Sequence, residues 1–349
     1  MTSLTQVAVI TRKVIRYGIF FLIFLIIGKI VFDISFKIYR TVFPAPPPPP
    51  TVTFGKLPKI PFPEATQPLA FTYTLETAEG GLPKLSTQAK VYFMPQPSPN
   101  LLSLDAAKNK ANALGFKPEE QQVSQTIYRF PHKSAPSTLE VNIITGIFSI
   151  SYDLKTDPTA IQRKPPFGEI AASTVRAYLS SADLLPEDLT GTLTPDYLKI
   201  EGDKFVTTDS LSDANITKVK LTRKNYDNLP VLSPEYNEAN VWFMVSGASE
   251  RDKQIIAGEF HYFPVDESKY ATYPLKTPQA VWDEFSGGKG YLVTPGINQD
   301  KDNVKIRRIY LAYYDAGVPT EFLEPIYVFE GDKGLVSYLP AVSSDYYGE

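Results

Sequence analysis

One apolar segment near the N-terminus constrains this chain more than any other feature. Residues 14–32 read "VIRYGIFFLIFLIIGKIVF", nineteen positions interrupted only by Arg16 and Lys29. A helix needs about 20 apolar residues to cross a bilayer core, and long charged side chains near its ends can reach the interface. The segment therefore predicts a transmembrane anchor over residues 14–36.

A cleaved signal sequence is the alternative, because the uninterrupted apolar stretch at 17–28 is short enough for one. Cleavage needs small residues, and the exit "DISFKIYRTVFP" offers none before the "PAP" at 44–46. Basic residues flank both sides of the run in nearly equal number, so they do not set its orientation. Since short charged tails usually stay inside, we expect a single-pass protein of the cell membrane, with residues 1–13 cytoplasmic and the C-terminal region extracytoplasmic.

Proline is concentrated directly after the apolar segment, in "PAPPPPP" at 44–50. Proline has no backbone N–H and favours the extended polyproline II helix, which makes a semi-rigid spacer. We expect residues 37–66 to form a proline-rich linker that holds a folded region away from the membrane. The alternative for this stretch is a ligand for an SH3-like or WW-like groove.

Charge and cysteine content exclude several classes of function. The formal net charge is −3 and no long block of like charges occurs, so the electrostatic footprint of a nucleic-acid-binding protein is missing. With no cysteine, the chain has no disulfide framework, thiolate metal site or thiol nucleophile. The cysteine content therefore does not indicate whether the protein works in an oxidising or a reducing compartment.

From residue 67 the sequence alternates short aromatic or β-branched runs with occasional helical segments. A helix followed by antiparallel strands occurs three times, which predicts α+β modules at 67–160, 161–268 and 269–342. A polar tail at 343–349 completes the chain. The predicted fold is an N-terminal transmembrane helix followed by repeated helix-and-antiparallel-hairpin modules.

Local signals mark where the predicted helices begin and end. Ser103 is a plausible N-cap for the first helix, and Gly115 suits its C-terminal stop. Thr277 can cap the last helix, because the proline after it fits the first helical position.

Two stretches resemble known families. The run "LSLDAAKNKANALGF", with "TIYRF" and "LEVNIITGIFSISYDL", resembles the PepSY pattern of a helix ending in glycine before a hairpin, whose turn here is Thr145-Gly146. Residues 274–342 are similar to the closing module of YycI/YycH-like proteins, and the PepSY-like part covers residues 101–154. The resemblance implies a PepSY-like binding or inhibitory module without catalysis, in a single-span membrane protein whose extracytoplasmic domain regulates a cell-envelope sensor kinase. The resemblance does not assign a functional residue of either family to a position in this sequence.

The residues with catalytic or metal-binding chemistry form no recognisable motif. His132 and His261 are the only histidines, and neither has the spacing of a zinc site. Carboxylate pairs at 119–120 and 283–284 fall in a polar loop or on a helix, where solvated charge is the default. We therefore expect no catalytic residue, no metal and no cofactor.

Together these patterns predict a non-enzymatic binding or regulatory protein whose partner is another membrane or cell-envelope protein. Tyrosine density in the C-terminal strands makes Tyr310, Tyr313, Tyr314 and Tyr327 the candidate partner-binding residues. Two alternatives remain open: a carbohydrate- or peptidoglycan-active hydrolase that uses carboxylates, and a structural membrane scaffold.

Overall fold

The structure is a computed structural model that describes residues 4–42, 48–64, 69–100 and 102–348. It divides into two compact units, Met1–Pro49 and Pro50–Glu349. The first contains one long helix, and we call the second the domain.

The secondary structure of the described residues follows in chain order. The α-helices are α1 (Leu4–Val42), α2 (Ser103–Ala113), α3 (Gly168–Ser181) and α4 (Pro278–Ser286). Short 3-10 helices occupy Pro158–Ile161, Arg251–Lys253, Asp332–Gly334 and Ser344–Tyr346. The strands are β1 (Thr72–Leu75), β2 (Gln88–Phe93), β3 (Gln121–Gln122), β4 (Ile127–Pro131), β5 (Ser137–Asn142), β6 (Phe148–Tyr152), β7 (Gly191–Thr192), β8 (Asp196–Glu201), β9 (Lys204–Thr208), β10 (Ile216–Thr222), β11 (Val231–Leu232), β12 (Val241–Ser246), β13 (Ile255–Phe260), β14 (Asp266–Pro274), β15 (Tyr291–Thr294), β16 (Asn303–Tyr314), β17 (Phe322–Gly331) and β18 (Val336–Pro340).

Helix α1 is long and apolar enough to cross a membrane over Val9–Arg40, a stretch of 32 residues. At 1.5 Å per residue it measures about 48 Å, more than a hydrocarbon core of about 30 Å. Its apolar side chains are exposed, and Phe24 is 70% accessible. The predicted anchor at 14–36 lies inside this helix, which continues beyond it at both ends. The same length and composition also fit a signal sequence.

Ten of the described strands form an antiparallel sheet in the order β3-β4-β5-β6-β13-β12-β10-β8-β9, with β7 paired to β10. Helices α2 and α3 cover one face of this sheet. Their buried residues, including Ala111 of α2 and Val175 of α3, pack on Phe130 and Phe243 of the strands. All four of these residues are essentially inaccessible to solvent, and the small side chain of alanine lets α2 lie close to the sheet.

Eight other described strands form the second sheet, in the order β1-β16-β17-β18-β15, with β11 paired to β16 and β2 paired to both β14 and β17. Most pairs are antiparallel, but β1 and β11 run parallel to β16. Helix α4 covers one face, where Phe285 stacks on Phe329 with ring centroids 3.9 Å apart. The opposite face packs around Tyr314, Tyr338 and Ile60.

The helix-end predictions have mixed outcomes. The Thr277 hydroxyl accepts the Ala280 N–H at 3.2 Å and Pro278 begins α4, so this cap is confirmed. Gly115 follows α2 with φ +95°, a left-handed conformation that favours glycine, and this stop is confirmed too. The Ser103 cap is wrong, because Ser103 is already the first residue of α2 and its hydroxyl accepts from the Asn100 N–H at 3.2 Å.

The α+β class is confirmed, with one N-terminal apolar helix and large antiparallel sheets, but the repeat of three hairpin modules is not. Strand β6 of the predicted first module pairs with β13 of the second, so both modules share the ten-stranded sheet. Strands β1 and β2, predicted in the first module, belong to the eight-stranded sheet. These pairings join distant parts of the chain, which local periodicity does not specify.

The predicted spacer at 37–66 differs from the structure in two of its parts. Residues 37–42 belong to α1, and residues 43–47 and 65–66 lie outside the described part of the chain. Residues 51–62, which we call the strap, pack on the eight-stranded sheet instead of extending into solvent. Leu57 is 0% exposed and Ile60 is 7% exposed, so these apolar side chains, which follow the run of prolines, are buried against the domain.

The polar tail predicted at 343–349 also packs on the domain as far as it is described. Leu57 and Tyr347 form a parallel β-bridge between the strap and the tail. Phe62 of the strap stacks on Tyr291 with ring centroids 4.9 Å apart. The strap and the tail therefore form one layer along the sheet.

Candidate binding site beneath the strap

A cavity of about 340 Å³ lies between the strap and one end of the eight-stranded sheet. We call it the Glu324 pocket. Its walls include Pro58, Ile60 and Pro61 of the strap and Tyr314, Phe322 and Glu324 of the sheet. Other polar side chains, among them Lys59 and Glu321, also line it, so apolar and polar groups are mixed around the space.

Glu324 is the most unusual residue of the pocket. It lies opposite Tyr314 in the antiparallel pair of β17 and β16, which puts both side chains on one sheet face. The residue is 5% exposed, and its Oε2 atom has no hydrogen-bond partner among the described residues. Burial raises the pKa of this carboxyl group to about 8. At pH 7 Glu324 is therefore mostly the neutral acid.

Two tyrosine hydroxyl groups on the same face share this lack of partners. The hydroxyl groups of Tyr314 and Tyr338 are buried and, within the described residues, make no hydrogen bond. Their rings meet edge to face with centroids 6.0 Å apart, and burial raises the pKa of both phenols. Buried polar atoms nearly always have partners. Three such atoms on one sheet face distinguish this region from the rest of the domain.

Glu330 shows what a satisfied carboxylate on the same face looks like. It accepts hydrogen bonds from Tyr310 at 2.8 Å and from Tyr236 at 3.2 Å, and its other oxygen lies 3.6 Å from Arg308. Even-numbered residues of β17 share one face because side chains alternate along a strand. The domain thus supplies partners to Glu330, whereas Glu324 has an oxygen without one.

The strap is fixed over the pocket by backbone hydrogen bonds to the tail. The Leu57 N–H donates to the Tyr346 carbonyl, and the Gly348 N–H donates to the Leu57 carbonyl, both at 2.9 Å. The Ile60 N–H donates to the Tyr347 hydroxyl at 3.0 Å. One wall of the pocket is therefore a segment without regular secondary structure, held by hydrogen bonds, by the buried Leu57 and Ile60 and by the aromatic contacts of Phe54 and Phe62.

The four tyrosines predicted from the sequence to bind a partner lie in different environments. Tyr313 and Tyr327 are 0% exposed and donate to the carbonyl groups of Lys90 and Lys276, so they act as core residues in this conformation. Tyr310 is half-buried against Glu330. Tyr314 alone lines the Glu324 pocket, and a role of the four in partner binding stays a prediction.

The two histidines lie in different environments. His132 lines a second cavity, about 510 Å³ in volume, between the ends of α2 and α3. Its Nδ1 atom accepts the N–H groups of Ser134 and Ala135 at 3.2 and 3.1 Å, and burial lowers its pKa. His261 Nδ1 lies 3.1 Å from the Gly317 carbonyl oxygen. Burial disfavours the charged form of His132, and the two N–H groups bound to Nδ1 fit a neutral ring in a structural role.

The carboxylate pairs considered from the sequence are engaged with neighbours on the surface. Glu284 pairs with Lys276 at 2.8 Å, and Asp283 accepts a hydrogen bond from Gln279 at 2.8 Å. Glu120 pairs with Lys108 at 3.0 Å. No group of three or more His, Cys, Asp or Glu residues among those the structure describes is placed to hold a metal ion.

A buried ionic cluster around Arg223 links the two sheets. Arg223 follows β10 in the ten-stranded sheet, and Asp315 follows β16 in the eight-stranded sheet; the two side chains meet at 2.6 Å. Asp188 contacts the same guanidinium at 2.6 Å and also accepts from Tyr226 and Tyr262. Burial opposes the charge of Arg223, but the two carboxylates outweigh it and raise its pKa.

Neither the Arg223 cluster nor the Glu324 pocket was predicted from the sequence. The members of the cluster are separated by 35 and 92 positions along the chain, and no local pattern connects them. Glu324 lies in the apolar strand "FLEPIYVFEG", where a lone carboxylate among buried positions is a usable but weak signal.

No family model matches the chain, and no curated protein matches it significantly. An uncharacterized protein from Eubacterium rectale ATCC 33656 matches in structure with a TM-score of 0.39 and 13% identity, over 76% of this chain and 85% of that one. The Bacillus megaterium YpeB C-terminal domain matches with a TM-score of 0.31 and 11% identity, over 72% of this chain and 96% of that one. At these values the similarity assigns neither a family nor a function, and the PepSY and YycI/YycH-like resemblance stays a prediction.

Proposed function

We propose that this chain is a single-pass, membrane-anchored binding protein whose domain binds a small ligand and, through it, regulates a membrane or cell-envelope partner without catalysis. Helix α1 supplies the anchor, with residues 1–13 cytoplasmic and the domain extracytoplasmic. The single observation that supports binding is the buried carboxyl group of Glu324, a residue that lines a cavity of about 340 Å³ and has one oxygen without a partner among the described residues.

The anchor is supported by the exposure of α1. A helix whose apolar side chains are accessible on all sides is unfavourable in water, since burial of apolar surface is worth about 25 cal/mol per Å². A bilayer removes this surface from water without any further protein contact. The helix also has no charged residue between Arg16 and Lys29, as a bilayer core requires.

Labelling of introduced cysteines tests the anchor and the orientation. The natural sequence contains no cysteine, so a single introduced thiol gives an unambiguous signal. Thr2→Cys and the exposed Ser173→Cys are expressed separately, and intact cells are treated with a membrane-impermeant maleimide. We expect both variants in the alkaline-carbonate-resistant membrane fraction, with only Ser173→Cys labelled. Recovery in the soluble fraction, or labelling of Thr2→Cys alone, contradicts the proposal.

A further inference from the structure

We infer that the Glu324 pocket binds a small organic cation, a primary ammonium or guanidinium group on a short apolar body, which pairs with the carboxylate of Glu324. The inference rests on the proposed function, because it names the class of ligand that the domain binds. It follows from the polarity of the pocket, its size and the charges that surround it.

The unpartnered atoms of the pocket are all oxygens. A carboxylate oxygen accepts hydrogen bonds, and a phenol hydroxyl both accepts and donates. Glu324 Oε2 and the Tyr314 hydroxyl therefore suit a ligand with several N–H groups. An ammonium offers three donors and a guanidinium five, and both also bring the positive charge that a buried carboxylate needs.

Once Glu324 is ionised, the described residues around it do not fully compensate its negative charge. Tyr314, Tyr273 and Tyr347 are the titratable groups near it on the sheet and the tail, and burial keeps all three phenols neutral by raising the pKa of each. Lys59 of the strap and Glu321, which precedes β17, line the same cavity with opposite charges. The described residues that line the pocket thus carry two carboxyl groups and one ammonium.

The remaining walls select an apolar body of limited size. Ile60, Pro58 and Pro61 close the strap side, and Phe322 lies on the sheet side. A volume of about 340 Å³ is at the small end of ligand pockets. A single ring or a short alkyl chain behind the charged group fills such a space.

Binding of a cation must release a proton at neutral pH. Free Glu324 is mainly –COOH at pH 7, and the bound form is the ion pair –COO⁻ with R–NH₃⁺. The O–H bond of the acid breaks, its proton passes to solvent, and the ligand keeps its own protons. Because each protein molecule must first lose that proton, affinity rises close to tenfold per pH unit below about pH 8 and then levels off.

Calorimetric titration of the full-length chain in detergent micelles tests this inference. The probe is benzylammonium, and benzyl alcohol is its neutral counterpart of similar shape. We expect benzylammonium to bind more tightly at pH 7.5 than at pH 6, with about 0.9 proton released per ligand at pH 7 as measured in two buffers of different ionisation enthalpy. Benzyl alcohol is expected to bind at least tenfold more weakly.

Two substitutions on the same face of β17 distinguish the carboxyl group of the pocket from a carboxylate outside it. Glu324→Gln keeps the shape of the side chain and should weaken benzylammonium binding at least tenfold at pH 7.5 and abolish proton release. Glu330→Gln, on the same face of β17 but outside the lining of the cavity, is the matched control and should change affinity less than twofold. A blocked Gly-Lys-Gly peptide is a further probe. Tighter binding of this peptide, with the same loss in Glu324→Gln, supports the cation and assigns it to a protein side chain.

Several outcomes overturn the inference. These are equal binding of benzylammonium and benzyl alcohol, an affinity that does not change with pH, and unchanged binding in Glu324→Gln. Loss of binding in Lys59→Gln but not in Glu324→Gln shows an anionic ligand and overturns it as well. A soluble, unanchored chain that binds benzylammonium in this manner contradicts only the proposed function. A membrane-anchored chain with pH-independent binding contradicts only the cation.

Discussion

The Arg223 guanidinium donates to the Asp315 carboxylate at 2.6 Å and so joins the ends of β10 and β16, one from each sheet. Both residues are nearly inaccessible to solvent. Buried ion pairs of this kind bring little net stability compared with apolar packing, but removal of one partner leaves an uncompensated charge. Removal of one member of the cluster should therefore weaken the contact between the two sheets, which apolar packing around Tyr226, Phe263 and Tyr313 also supports.

Arg223→Met should lower the free energy of unfolding by roughly 3–5 kcal/mol, because Asp188 and Asp315 lose their shared counter-charge. Denaturant unfolding of the full-length chain in micelles measures the change. The control is Arg129→Met, which removes an ion pair to Glu140 on the accessible surface of the ten-stranded sheet. Exposed pairs contribute about 0–1 kcal/mol, so an equal loss in both variants contradicts the role of the cluster.

Glu324 should make the domain less stable as the pH rises. Burial raises its pKa to about 8 in the folded chain, against an ordinary value of 4.5, so between these values the unfolded chain is ionised while the folded chain keeps its proton. The free energy of unfolding then falls by about 1.4 kcal/mol per pH unit over this window. Glu324→Gln should remove this contribution and gain on the order of 4 kcal/mol relative to the natural chain at pH 8.

The difference between the natural chain and Glu324→Gln, measured by unfolding from pH 5 to pH 8, isolates this effect. His132 contributes with the opposite sign, because its lowered pKa weakens the fold as the pH falls, and it cancels in the difference. Glu330→Gln, on the same face of β17, is the control and should keep the slope of the natural chain. If the difference in unfolding free energy between the natural chain and Glu324→Gln does not change with pH, the carboxyl group of Glu324 does not have the raised pKa of a buried acid.

His132 should titrate below the ordinary histidine value of about 6.5, since protonation of Nδ1 displaces two N–H donors and places charge in a half-buried site. Carbon-13 labelling of the histidine rings in the full-length chain gives two signals, because the sequence has two histidines. His132→Gln assigns the signal by its disappearance. A midpoint at or above 6.5 contradicts the hydrogen bonding described for Nδ1.

Leu57→Ala should detach the strap while the two sheets stay folded. The substitution leaves a cavity at a fully buried position in the middle of the strap, a change that costs roughly 2–5 kcal/mol. Limited trypsin digestion reports the result through cleavage after Lys56 and Lys59. We expect rapid cleavage there in Leu57→Ala and slow cleavage in the natural chain. Leu102→Ala, at a leucine that is 69% exposed, should behave like the natural chain.

Local features of the fold could be predicted from short stretches of sequence. The apolar run identified α1, the pair Thr277-Pro278 located the start of α4, and Gly115 located the end of α2. Each of these signals acts within one turn of helix or one bilayer thickness. The α+β class followed from the same local patterns.

Pairings between distant segments could not be predicted. Strand β2 pairs with β14 and β17, each far along the chain, and the alternation of its side chains fits any partner equally well. For the same reason residues 51–62 suggested a free spacer, since only the folded sheet offers Leu57 a place to be buried. The Glu324 pocket is formed by the strap and the sheet together. It could be predicted only if both the strand pairing and the packing of residues 51–62 were known.

The parallel bridge between Leu57 and Tyr347 means that the chain enters and leaves the domain at one place. Any segment joined after residue 348 would begin beside the strap and next to the wall of the Glu324 pocket. A fluorophore attached there would report on the position of the strap. One placed in the turn at Gly146 would not, because that turn belongs to the ten-stranded sheet.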